Sequence, residues 1–141
     1  SRVLRMNRQR IGLWGTLVFA ALGAIGMGIQ VYLIAGTIFG EDWLDAHKTF
    51  GKVTHGFYIL TFLSALLAAW PNWRTTTWPF VLAVLGSIQA FLAFDGDVGG
   101  DNGAIHAFHG ALAPIVFAIA LWIIWQAYTG LGLGSRREAA T

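Results

Sequence analysis

The chain has 141 residues, of which 56% are hydrophobic and only 11% charged, with a mean hydropathy of +0.61. So little charge excludes a soluble globular domain of this size. The absence of cysteine excludes disulfides, thiolate-held iron–sulfur clusters, thiolate haem ligation and covalent c-type haem attachment.

The apolar residues fall into four runs. Ile11–Phe39 has no Asp, Glu, Lys, Arg or His in 29 residues, and Thr75–Phe94 has none in 20. Val53–Trp73 carries only His55 of these types, and Asn102–Ser135 only His106 and His109. A spanning helix needs about 20 mostly apolar residues. The runs therefore predict transmembrane helices over 12–39, 44–70, 78–95 and 104–131. The fold class is an all-α integral membrane four-helix bundle. It forms a single domain over 1–141, with tails at 1–10 and 134–141. The first run is too long for a typical cleaved signal sequence.

The first predicted helix places Thr16, Ala20, Ala24 and Gly28 four residues apart, a close-packing stripe. It also carries Gln30. The second begins near Asp42 and holds His47, Gly51 and His55. The third holds Gln89. The fourth holds His106, His109 and Gly110, followed by Pro114, which removes a helical hydrogen bond to Gly110 and is expected to bend the helix. Trp14, Trp70, Trp73, Trp78, Trp122 and Trp125 fall towards one interface and Trp43 towards the other, as an aromatic belt does. The loop "DGDVGGDNG" spaces Asp95 and Asp97 as calcium loops do, but lacks the distal glutamate of an EF-hand and reads as a solvated turn.

With the N-terminus inside, the inner side holds Arg2, Arg5, Arg8, Arg10, Arg74, Arg136 and Arg137, and the outer side only Lys48 and Lys52. Six of the seven acids lie outside. The positive-inside rule then puts both termini in the cytoplasm of a multi-pass protein of the cell membrane, the cytoplasmic membrane of a prokaryote. The net charge of +2 reflects that inner rim and gives no patch for nucleic acid.

An ungapped shift of 59 residues lays Ile29 on Ile88, Gln30 on Gln89, Leu33 on Leu92, Gly40 on Gly99, Asp42 on Asp101, His47 on His106 and Gly51 on Gly110. The chain thus reads as two parallel helical-hairpin repeats, about 12–70 and 78–131, related by a pseudo-twofold axis along the membrane normal. Asp42 and Asp101 are expected as N-caps or first-turn acids of the second and fourth helices. His47 and His106 then lie at one depth, about 6–8 Å inside their helix starts. If the equivalent faces meet at the axis, the two imidazoles face each other.

In "HKTFG" and "HAFHG", a histidine precedes a glycine by four residues on one helical face. A flat macrocycle held by the histidine covers that turn, and the glycine leaves room for it. Two neutral imidazoles from facing helices suit the axial positions of haem iron. His47 and His106 are the leading metal ligands, with His55 and His109 as alternatives. His55 lies eight residues beyond His47, about 12 Å deeper. It could bind a second cofactor, carry a proton or ligate in place of another histidine. Gln30 and Gln89 seek hydrogen bonds in the bilayer, with each other, with His55 or with a cofactor edge.

The motifs "HKTFG" and "IHAFHG" resemble those of an uncharacterised family of small four-helix bacterial and archaeal membrane proteins. That family shares H-[RK]-x2-G at the start of helix two and a similar motif at helix four. More loosely, the layout is similar to that of membrane b-type cytochromes, which ligate haem from the second and fourth helices of a bundle. Cytochromes of that type with two haems carry two spaced histidines on each helix, in a spacing this chain lacks. The histidine pair, with this looser likeness to b-type cytochromes, leads to the expectation of one haem b near the outer face and of electron transfer, as a cytochrome or the haem-binding subunit of a larger redox complex. It implies an electron-transfer subunit more than a stand-alone enzyme. Partners would be the bilayer, a quinone and a redox protein or a larger complex, and a homo-oligomer is also compatible. Two alternatives remain open: a chlorophyll-type pigment held by one histidine, or an accessory protein whose histidines only form hydrogen bonds.

Overall fold

A computed structural model of the chain describes residues 2–69, 73–93 and 103–134. It consists of four α-helices, α1 (Arg2–Ile38), α2 (Leu44–Ala69), α3 (Thr77–Leu92) and α4 (Gly103–Gly130), with a 3-10 turn at Trp73–Thr76. No strand occurs among the described residues. Neighbours pack in the order α1–α2–α3–α4 and back to α1, so α2 and α4 lie diagonally across the bundle. Three helices, α1, α2 and α4, are long and apolar enough to cross a membrane, whereas α3 is apolar but shorter.

The surface is inverted relative to a soluble protein. Val18, Ile25, Val31, Leu63, Phe80 and Ile115 are exposed, while Thr16, Gln30, Thr54, Thr61 and Gln89 are buried. Lipid solvates such an exterior, and buried polar groups must then be satisfied inside. Thr16 and Thr61 do so by donating to the carbonyls of Gly12 (2.8 Å) and Phe57 (2.7 Å), four residues earlier.

Two boundaries differ from the sequence reading. Residues 2–10, expected as a tail, are the first turns of α1, which runs for 37 residues. Four arginines among helix-forming neighbours interrupt hydrophobicity but not helicity. The α3 helix ends at Leu92. The loop 94–102, with Asp95, Asp97, Gly99 and Asp101, lies outside the described residues, as do Trp70 and 135–141.

Helix α1 ends in a glycine cap. Gly40 has φ +102°, and its N–H donates to Thr37 O while Glu41 N–H donates to Gly36 O. This is the paired bonding of a Schellman motif, which needs a left-handed residue. Helix α4 ends the same way at Gly132, with φ +72°. Trp43, not Asp42, takes the cap position of α2, since its carbonyl accepts the first helical bond from His47 N (2.9 Å). Asp45 supplies the first-turn acid.

α1 and α2 meet along an antiparallel seam. A side chain added at Gly12 would strike Ala68; at Gly15, Ser64; at Gly23, Tyr58; at Gly26, Thr54; at Gly36, Trp43. The paired numbers add to about 80 throughout, so one register holds along the whole seam to the α1–α2 turn. The predicted stripe is corrected here. Thr16, Ala20 and Ala24 are buried, with Ala20 and Ala24 in the central core, but Gly28 is exposed with nothing near it. Trp43 is likewise more than a belt residue: it fills the space over Gly36 and lies 5.3 Å from the ring of Tyr32.

The core centres on Tyr58, packed with Ala20, Ala24, Met27, Leu82, Val116, Ala120 and Ile123. Its ring is held between Gly23 of α1 and Gly86 of α3, where a Cβ would come within 2.7 Å and 2.6 Å of it. This plug lies midway along the bundle and separates two ends. The end at the α1–α2 turn holds the histidines. The opposite end opens as a cavity of about 610 Å³ whose walls include Leu13, Ala65, Trp78, Ile123 and Trp125.

Candidate functional site

All four histidines and both glutamines sit between Tyr58 and the end of the bundle at the α1–α2 turn. α2 carries His47 in its first turn and His55 two turns deeper, and α4 carries His106 and His109 in its first turns. All four imidazoles are half-buried, and both glutamines are buried.

His47 Nδ1 lies 3.1 Å from the backbone oxygen of Gln30, across the α1–α2 seam. His109 Nδ1 lies 2.8 Å from the backbone oxygen of Gln89, across the α3–α4 contact. A carbonyl oxygen only accepts, so Nδ1 carries the hydrogen in both rings. In its neutral form each imidazole then keeps a lone pair on Nε2, the tautomer that leaves Nε2 able to bind a metal. The two hairpins thus use one device: a glutamine carbonyl in the first helix orients a histidine in the second.

The two oriented rings meet. His47 and His109 have ring centres 6.3 Å apart and planes at 78°. They come from the diagonal helices, so the pair bridges the bundle interior. The sequence register matches His47 with His106, whereas packing brings His109 to it. Residues 106 and 109 lie about 60° apart around α4, at about 100° per residue. A modest difference in helix rotation between the hairpins therefore decides which imidazole faces inward. His106 Nε2 is buried and has no hydrogen-bond partner among the described residues.

His55 has the opposite tautomer. Its Nε2 lies 2.8 Å from Ser87 Oγ of α3, and Ser87 gives its single hydrogen to Ala83 O at 2.7 Å. Ser87 must therefore accept from His55 Nε2–H, leaving the lone pair on Nδ1 beside the histidine's own backbone. This ring is tied to α3 rather than offered to the interior. Ser87 was not legible as its partner. A serine in an apolar run ordinarily bonds the carbonyl four residues back, and this one does that as well.

The glutamines serve through the main chain first. Gln89 adds a side-chain bond, its Nε2 donating to His109 O at 3.3 Å. It therefore grips His109 twice. Gln30 Nε2 is buried with no partner among the described residues. Gly51 accommodates this amide, since a Cβ there would sit 3.3 Å from Gln30 Oε1. At Gly110 a Cβ would meet nothing within 4 Å. The space expected beside a histidine is thus open at Gly110, while at Gly51 it faces the glutamine.

Among the described residues no group of three or more His, Cys, Asp or Glu side chains gathers to hold a bare metal ion. The His47–His109 pair offers two nitrogen donors. Two donors suffice for a metal that arrives with its other ligands, as in a metal macrocycle. No family model, curated protein or solved structure matches the chain.

Proposed function

We propose that the protein is a haem-binding subunit of the cytoplasmic membrane of a prokaryote that transfers electrons, with one haem b held between His47 and His109 at the outer end of the bundle. The observation that carries this reading is the pair of oriented imidazoles. Two imidazoles that shared one metal through bonds of about 2 Å, with about 1 Å from each nitrogen to its ring centre, would have their ring centres roughly 6 Å apart. The ring centres here are 6.3 Å apart. Both rings keep Nε2 free because Nδ1 is held by a carbonyl.

When bound, the haem supplies a one-electron couple. The backbone carbonyls of Gln30 and Gln89 would hold the two imidazoles in place, and Tyr58 and the core would close the site beneath. Ligation by both imidazoles would favour outer-sphere electron transfer over substrate chemistry. The proposal includes the duplicated-hairpin origin, both termini inside, and membership of the small four-helix family that the motifs resemble. The electron source would be a quinol. The acceptor would be an external carrier or a larger complex.

A second reading has its own support. His47, His55 and His109 each bond another helix, as purely structural histidines do. A reduced-minus-oxidised spectrum separates the readings. The haem reading expects a Soret band and sharp α and β bands in the parent. These are lost in His47→Ala and His109→Ala and kept in His106→Ala. Loss in His106→Ala with retention in His109→Ala would return the site to the register-matched pair. A far-red band would indicate a chlorophyll-type pigment, and a colourless protein expressed with haem supplied would leave only the structural reading.

A further inference from the structure

Gln30 and Gln89 occupy the same place in their hairpins, but their carboxamides differ in use. Both backbone carbonyls anchor a histidine. The Gln89 amide then turns back and donates to His109 O. The Gln30 amide does not. Its residue is 7% exposed, and its Nε2 is buried without a hydrogen-bond partner among the described residues. A buried N–H left unpaired is costly, and most such groups in folded proteins have a partner. The group is a donor only, so what completes it must be an acceptor. It also belongs to the residue whose backbone carbonyl orients His47.

We infer that the Gln30 carboxamide binds a carboxylate on the edge of the ligand held by His47 and His109. This rests on the haem reading. The periphery of haem b carries methyl and vinyl groups and two propionates, and only the propionates accept hydrogen bonds. Gln30 Nε2–H would donate to one of them. Gln89, whose amide is already committed, would make no such contact, so the ligand would be oriented with its acidic edge towards α1. Gly51 belongs to this arrangement. It faces Gln30 Oε1 and so lets the amide lie flat between α1 and α2.

The test uses the full chain, purified without haem in detergent and titrated with two iron porphyrins: ferric protoporphyrin IX, which has the carboxylates, and ferric octaethylporphyrin, which has none. Gln30→Leu keeps the backbone carbonyl and removes the donor. It should weaken protoporphyrin binding by about tenfold or more, the value of one hydrogen bond to a charged group. Octaethylporphyrin binding should stay within about twofold of the parent. Gln30→Glu, of the same size, sets a like charge against the carboxylate and should weaken protoporphyrin binding further while again sparing octaethylporphyrin. An equal loss for both porphyrins, or no loss for protoporphyrin, would overturn the inference and leave the haem site standing. If the parent chain binds neither porphyrin, the haem reading fails and this inference fails with it.

Discussion

Tyr58 shows how much rests on one side chain. It is 2% exposed and touches glycines on two helices, while its hydroxyl reaches Gly23 O only at 3.5 Å. Packing therefore dominates over the hydrogen bond. Tyr58→Ala is expected to cost about 3–5 kcal/mol, as deletion of a buried aromatic does, and Tyr58→Phe less than about 1 kcal/mol. Thermal unfolding in detergent measures both. Ser87→Ala removes the acceptor of His55 Nε2–H and should cost about 1–3 kcal/mol. Under the haem reading it would leave the α band unmoved, because His55 is tied to α3 and faces no metal. At this scale the sequence was legible for residue types and silent on orientation. His47 could be singled out as a candidate from its repeat and its depth. Its true ring partner could not, because His106 and His109 differ by a helix rotation that no local pattern encodes. Nor could the tautomers be read, since they are set by carbonyls that carry no residue-specific signal.

Among the elements, the α1–α2 seam gives the sharpest contrast. Gly26→Ala would drive a methyl into Thr54 and is expected to loosen the hairpin by about 1–3 kcal/mol, as overpacking does. Gly28→Ala, two residues on, meets open space and should be neutral or stabilising by up to about 1 kcal/mol. Chemical denaturation of the two variants side by side checks this. If both behave alike, the register of the seam is wrong. The four helices were legible because long charge-free runs have few alternatives in a membrane. The seam was misread for a geometric reason. A step of four residues overshoots a turn by about 40°, so a stripe that starts at Thr16 has rotated off the contact by Gly28. Gly12, Gly15, Gly23 and Gly26 hold it because eleven residues return almost to the same angle. The start of α1 is not legible from hydropathy, because its arginines end the apolar part of the helix and not the helix itself.

Across the whole molecule, α1 is longer than a bilayer is thick. Its 37 residues extend about 55 Å, against a hydrocarbon core of about 30 Å. With both termini inside, the arginine-bearing turns would stand in the cytoplasm as continuous helix. The absence of cysteine makes this simple to test. Asn7→Cys should react with an impermeant maleimide only in inverted vesicles, and Lys48→Cys only in right-side-out ones. The opposite pattern would reverse the topology. The packing also sets an order of events. Among the described residues α1 and α2 share the most extensive contact, whereas α3 is short and joins its neighbours more lightly. On warming, α3 would loosen first and the α1–α2 hairpin would persist longest, as amide exchange would show. Gln89 would then release His109 while Gln30 still held His47. A ligand gripped across the diagonal would leave through one side of a half-open site and could be recaptured by the half that had never come apart.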